Sequence, residues 1–121
     1  MAYTGTIATE AEIAIYAGEL VDATGNTEAN RNDLMAQAES YLSCLMRYNV
    51  VDNYASLNAD VKRILSEWAA RFCGTALISF NMGGYNSRIE AEDMININIY
   101  RMRQIEKLIV EDKTETYIKG A

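Results

Sequence analysis

Few side chains in this sequence are of the kinds that do chemistry. The most suggestive spacing falls in residues 79–88, SFNMGGYNSR, where Gly83 and Gly84 stand side by side. Adjacent glycines can let a backbone wrap a phosphate, but a phosphate loop needs a strand before it and either a Gly-Lys-Ser/Thr ending or three spaced glycines. Here the pair follows a long run of helical periodicity with no lysine beside it. Gly83 and Gly84 therefore read as a joint between two helices. Glu90, Glu92 and Asp93 could hold a metal or share a proton, yet acids in a first helical turn complement the helix dipole, and no second motif completes a site. Glu67 and Arg71, spaced i, i+4, make an ion pair at the surface, in the interior or across an interface. Cys44 and Cys73 have no second cysteine near either, which excludes a zinc knuckle or a CxxC redox pair. Both lie among apolar residues and are expected to be buried free thiols, with a disulfide only if their helices pack side by side.

The chain has no histidine, which removes the usual general base near neutral pH and the commonest metal ligand. No catalytic residue, cofactor or metal is expected, and the reading is of an interaction protein, not an enzyme. Eight tyrosines against two phenylalanines favour protein contact, because the phenol sets a polar tip at the edge of a core or interface. A periodic one such as Tyr41 reads more simply as core. The net charge of −6 is uneven: residues 1–60 hold nine acids against two bases, and residues 61–121 hold eight acids against nine bases. With no basic stripe, direct DNA binding is not expected, whereas such polarity suits head-to-tail contacts between copies. No apolar run reaches bilayer-spanning length, and the start, MAYTGTIATEAE, lacks a basic and then apolar leader, so a soluble, unprocessed chain is expected.

The elements that must position these residues are helices. With 121 residues, half of them hydrophobic and none of them proline, one core and uninterrupted helices are expected. Thr9-Glu10-Ala11-Glu12 is a capping box, after which Ile13, Ala17, Leu20 and Val21 form one face as far as Gly25-Asn26. A second helix runs from about Asn30 to Tyr48, with Leu34, Ala38, Tyr41, Leu42, Leu45 and Met46 as its buried stripe. The connector NVVDNYASLN carries Val50, Val51 and Tyr54, apolar enough to pack on the core or on a neighbouring subunit. The third helix, from Asn58 or Asp60, steps through Val61, Ile64, Leu65, Trp68, Ala69, Phe72, Cys73, Ala76, Leu77 and Phe80, the clearest periodicity in the chain. A second box, Ser87 to Glu90, opens a fourth helix to about Glu111 with Ile95, Ile99, Met102, Ile105, Leu108 and Ile109 inward. Its stretch MININIYRM alternates as a strand would, but the cap before it and RMRQIEKLIVE after it predict helix. Ile97 and Tyr100 widen the apolar face beyond the need of one core, which suggests an intersubunit contact. The expected architecture is all-α: a bundle of about four helices over residues 1–112, with an extended N-terminal segment and an extended tail over 113–121.

The order AYTGTIATEAEI, NDLMAQAESYLSCLMRY, NADVKRILSEWAARFCGTALI, a Gly/Asn joint and IEAEDMININIYRMRQIEKLI resembles the head–tail connector adaptors, or head-completion proteins, of tailed bacteriophages. In that family a Y-T-like start and a short helix lead into a small bundle. A helix of the lk-a-a--lA---l type precedes the joint, where Asp60-Val61-Lys62 through Ala69-Ala70 stands here. The resemblance covers the chain from about Tyr3 to Ile109 and rests on helix patterns, not on catalytic signatures. It implies a virion protein forming a ring, typically dodecameric, that docks on the portal and extends the DNA channel toward the tail. It further implies a portal-binding tail containing Thr114, Thr116, Tyr117, Ile118 and Lys119. Val50, Val51, Asp52 and Tyr54 would form a loop touching a neighbouring copy or a downstream tail or connector protein. DNA would pass without sequence-specific binding, which an acidic lining favours by repelling phosphates. The alternative from the residues is a small cytoplasmic helical regulator that binds a host or phage protein.

Overall fold

Thr9 starts the first helix in the way its box requires: its Oγ1 accepts from the Glu12 amide, and the Glu12 carboxylate accepts from the Thr9 amide. A computed structural model of the chain describes residues 4–18, 27–80 and 88–109. Their elements are α1 (Glu10–Ala17), α2 (Glu28–Met46), the single turn α3 (Val50–Asn53), a 3₁₀ turn (Tyr54–Ser56), α4 (Ala59–Phe80) and α5 (Arg88–Ile109). The fold is an all-α bundle, and MININIYRM lies wholly within α5. Among the described residues, no helix is long and apolar enough to cross a membrane. The joint at Gly83 and Gly84, the cap at Ser87 and the tail residues Thr114, Thr116, Tyr117, Ile118 and Lys119 lie outside the described residues.

The first helix ends earlier than its apolar pattern suggested. Gly18 takes φ 82 and returns its amide to Ala14 O, so α1 stops there and not at Gly25-Asn26. A positive φ is costly for any residue with a Cβ, and glycine adopts it without that penalty. Leu20 and Val21 lie outside the described residues. Thr27 then caps α2, its hydroxyl accepting from the Asn30 amide.

Helix α4 is the centre, with α1, α2 and α5 all packed against it. Surrounded in this way, it buries more than one stripe: Val61, Leu65, Trp68, Ala69, Cys73 and Leu77 are joined by Ala70 and Ile78. Helix α2 meets it with Met35, Ala38, Leu42 and Met46, while Leu34 and Leu45 are only partly covered. The connector after α2 is folded onto the same core. Val50 and Leu57 are buried, and the Tyr54 hydroxyl sits among Ile7 O (3.2 Å), Lys62 O (3.1 Å) and Ser66 Oγ (2.9 Å). The irregular N-terminal segment is held by side chains in place of a sheet or helix. Glu39 Oε2 accepts from the Thr6 and Ile7 amides at 2.7 and 3.0 Å, and Ser66 Oγ donates to Ile7 O at 2.7 Å. Backbone groups satisfied in this way allow Ile7 and Ala8 to be buried without regular structure.

The register of α5 differs from the one its apolar residues suggest. Its inward face is Ala91, Asn98, Met102, Ile105 and Ile109, and Ile99 and Leu108 are turned toward solvent at 38% and 43% exposure. The rotation follows from Asn98, a polar residue that is buried because its amide finds partners on α4 and α1.

Candidate functional site

The expected Glu67–Arg71 pair exists and is the middle of a larger cluster. Glu67 Oε2 accepts from Arg71 Nε at 2.8 Å and from Arg101 Nε of α5 at 2.7 Å. Arg71 Nη1 also donates to Asn98 Oδ1 at 2.9 Å, and its guanidinium lies 4.3 Å from the centre of the Tyr16 ring. One carboxylate and one guanidinium thus tie α1, α4 and α5 together. Burial pushes the Glu67 carboxyl up, but the hydrogen bonds from Arg101 and Arg71 outweigh it and hold the group below its ordinary value. A carboxylate held charged by two arginines is a poor proton acceptor, so the cluster is a clamp and not an acid–base site.

The clamp has a pH signature. Because the folded-state value is depressed, its stabilisation is present above the unfolded carboxyl range and is lost as pH falls through the folded value. Glu67→Gln should remove about 1–2 kcal/mol at neutral pH. It should also flatten the acid limb of a plot of unfolding free energy against pH, measured by urea titration between about pH 6 and pH 3.

On the other flank of α4, three aromatic rings lie in a stack. Tyr41 and Trp68 have centroids 5.1 Å apart and Trp68 and Phe72 5.5 Å, both pairs nearly parallel. Glu106 of α5 accepts from the Tyr41 hydroxyl (3.1 Å) and from Trp68 Nε1 (3.4 Å). Tyr41, expected in the core, is 46% exposed: its ring lies flat on Trp68 with an edge in water. That hydrogen bond to Glu106 raises the Tyr41 phenol above its usual value. A recess of about 280 Å³ beside this stack is lined by Tyr41, Ile99, Met102, Arg103 and Glu106.

The cysteines divide. Cys73 is buried as expected, with burial raising its thiol to about 12. Cys44 is exposed, because it faces away from α4 on the side of α2 opposite Leu42 and Met46. A disulfide-exchange reagent should therefore modify one thiol per native chain and two in denaturant, counted by intact mass.

Several large apolar side chains are left at the surface. Ile97 and Tyr100 project from α5 at 64% and 68% exposure, as the widened apolar face led one to expect, and Leu108 continues their row. Of the connector residues, Val50 and Tyr54 are taken up by the protein's own core, whereas Val51 is half-buried and Asp52 exposed. Val51 borders an open groove of about 700 Å³ along the outer side of α2, whose floor includes Ala36, Ser40, Ser43 and Cys44. Among the described residues, no three potential metal ligands cluster. Asn98, Tyr16 and Arg101 were not singled out by sequence; the available signal was the seven-residue spacing of Asn98 from Ala91 and Ile105, which puts it in the buried register. No protein-family model matches the chain, and comparison with curated proteins and with solved structures finds no match either.

Proposed function

We propose that this protein is a structural virion component, a head–tail connector adaptor whose copies form a ring on the portal and extend the DNA channel toward the tail. The observation that carries the reading is the solvent-facing row Ile97, Tyr100 and Leu108 on α5, large apolar side chains left uncovered while the protein's own core is complete without them. Large apolar residues aligned on one exposed helix face are the kind of patch that marks an interaction site. The charge balance supports assembly of like copies, since the acidic first half and the slightly basic second half attract when one copy's second half meets another's first. The resemblance in helix order adds the portal and the tail as the neighbouring components, with residues 113–121 as the segment that grips the portal.

The test is the mass of the purified protein alone and mixed with its cognate portal. A large closed ring on the portal is expected, lost when residues 113–121 are deleted. A chain that stays monomeric with portal present, and is unaffected by that deletion, overturns the reading in favour of a small regulator.

A further inference from the structure

Two surface rows match in length and in the order of their charges, and are complementary in bulk. On α2, the outer face runs from Asp33 through Ala36, Ser40, Ser43 and Cys44 to Arg47, the residue that ends the helix. On α5, the outer face runs from Asp93 through Ile97, Tyr100 and Gln104 to Lys107. In each row an acid and a base stand fourteen residues apart, about 21 Å along a helix. In each row the acid is at the N-terminal end. Laid antiparallel, the two rows therefore pair Asp33 with Lys107 and Arg47 with Asp93. The interior of the α2 row is small and forms the floor of the groove, and the interior of the α5 row is large and protruding. The same alignment places Ile97 over Ser43 and Cys44 and Tyr100 over Ser40.

We propose that the occupant of the α2 groove is the α5 outer face of a second copy of this chain, packed antiparallel with those two charge pairs at its ends. A single copy cannot satisfy itself. Tyr41 of α2 reaches α5 at Glu106, and Glu106 stands nine residues, two and a half turns, from Ile97, so the Ile97 row faces away from α2. The contact is heterologous: each copy gives its α5 row to one neighbour and its α2 groove to another. Such contacts build rings or open chains and not closed pairs. The proposal rests on the self-assembling reading above, and it is tested on free protein so that its failure is separable from a failure to bind portal.

The exposed Cys44 on the groove floor supplies the probe. Under mild oxidation at high protein concentration, Ile97→Cys should yield a ladder of trimers and longer species. Mass spectrometry should identify a disulfide-linked peptide pair joining Cys44 of one copy to the introduced thiol at position 97 of the next. The unaltered chain, with Cys73 buried, should give dimers at most. Ile15→Cys, an equally exposed position on α1, is the control for random collision. Asp33→Lys in the Ile97→Cys background should lower the yield about two- to fivefold, and adding Lys107→Asp should restore it. Far-UV circular dichroism confirms that each variant keeps its helices. A yield of that cross-link no greater than the yield from the Ile15→Cys control overturns the proposal. Products that stop at a closed dimer also overturn it, as does a charge swap that fails to recover.

Discussion

Replacing Gly74 by valine is expected to destabilise the protein by about 3 kcal/mol or more, a large share of the ~5–15 kcal/mol that holds a domain together. Gly74 lies in the middle of α4, where glycine is a poor helix former, and alanine at an open helical position would gain about 1 kcal/mol. Here a Cβ would stand 2.9 Å from both the carbonyl carbon and the Cβ of Tyr16 and 3.0 Å from the Ala17 amide nitrogen. Those are mostly backbone atoms of α1, which cannot swing aside as the tip of a side chain can. The helices meet at this point because one of them has nothing there. Even Gly74→Ala should therefore lower stability, by about 1 kcal/mol after its gain in helix propensity. Valine, larger and branched at Cβ, should lower the melting temperature by about 10 °C or more. Thermal melts followed by circular dichroism decide it: an unchanged or raised melting temperature for alanine would mean that α1 does not lie against α4 at this point. The clamp should feel the same displacement, since Tyr16 carries the ring under Arg71. The pH dependence described for Glu67 should weaken in Gly74→Val.

Trp68→Ala should cost about 3–5 kcal/mol, the range for emptying a large aromatic site. Trp68 is 2% exposed, lies between Tyr41 and Phe72 in the ring stack, and donates to Glu106. Its removal opens a void against α2 and α5 together, which backbone shifts in one helix alone cannot close. It also leaves Glu106 with one donor fewer. Trp68→Phe is the informative companion: it keeps a ring in the stack, loses the indole N–H and part of the volume, and should cost about 1–2 kcal/mol. Because the only tryptophan is the residue replaced, urea unfolding must be followed by far-UV circular dichroism and not by fluorescence. A loss below about 1.5 kcal/mol for alanine would show that the stack is peripheral and that the bundle closes without it.

Helix identity was written locally and was readable. Thr9 and Glu12 are three residues apart and cap α1 by themselves, and the three- and four-residue steps from Val61 to Leu77 describe α4 without reference to any other element. The absence of histidine and the exposed pair Ile97 and Tyr100 likewise needed no partner to be noticed. The tertiary structure decided which apolar residues face inward and which polar ones may join them. Asn98 is buried because Arg71, 27 residues away, donates to its carbonyl and the Tyr16 carbonyl, 82 residues away, accepts from its amide. Once it is inside, Ile99 and Leu108 must turn outward. Tyr41 and Cys44 come to the surface for a related reason, since α2 offers only one side to α4. The early end of α1 at Gly18, in place of Gly25, is a choice between two glycines that no local pattern distinguishes. Gly74 looks in the sequence like a flaw in a good helix, and only the backbone of α1 passing against it gives that residue a purpose. Periodicity and capping act over a few residues and are carried by the chain itself. Register, burial of polar groups and close approach depend on partners far along the chain, and those exist only once it has folded.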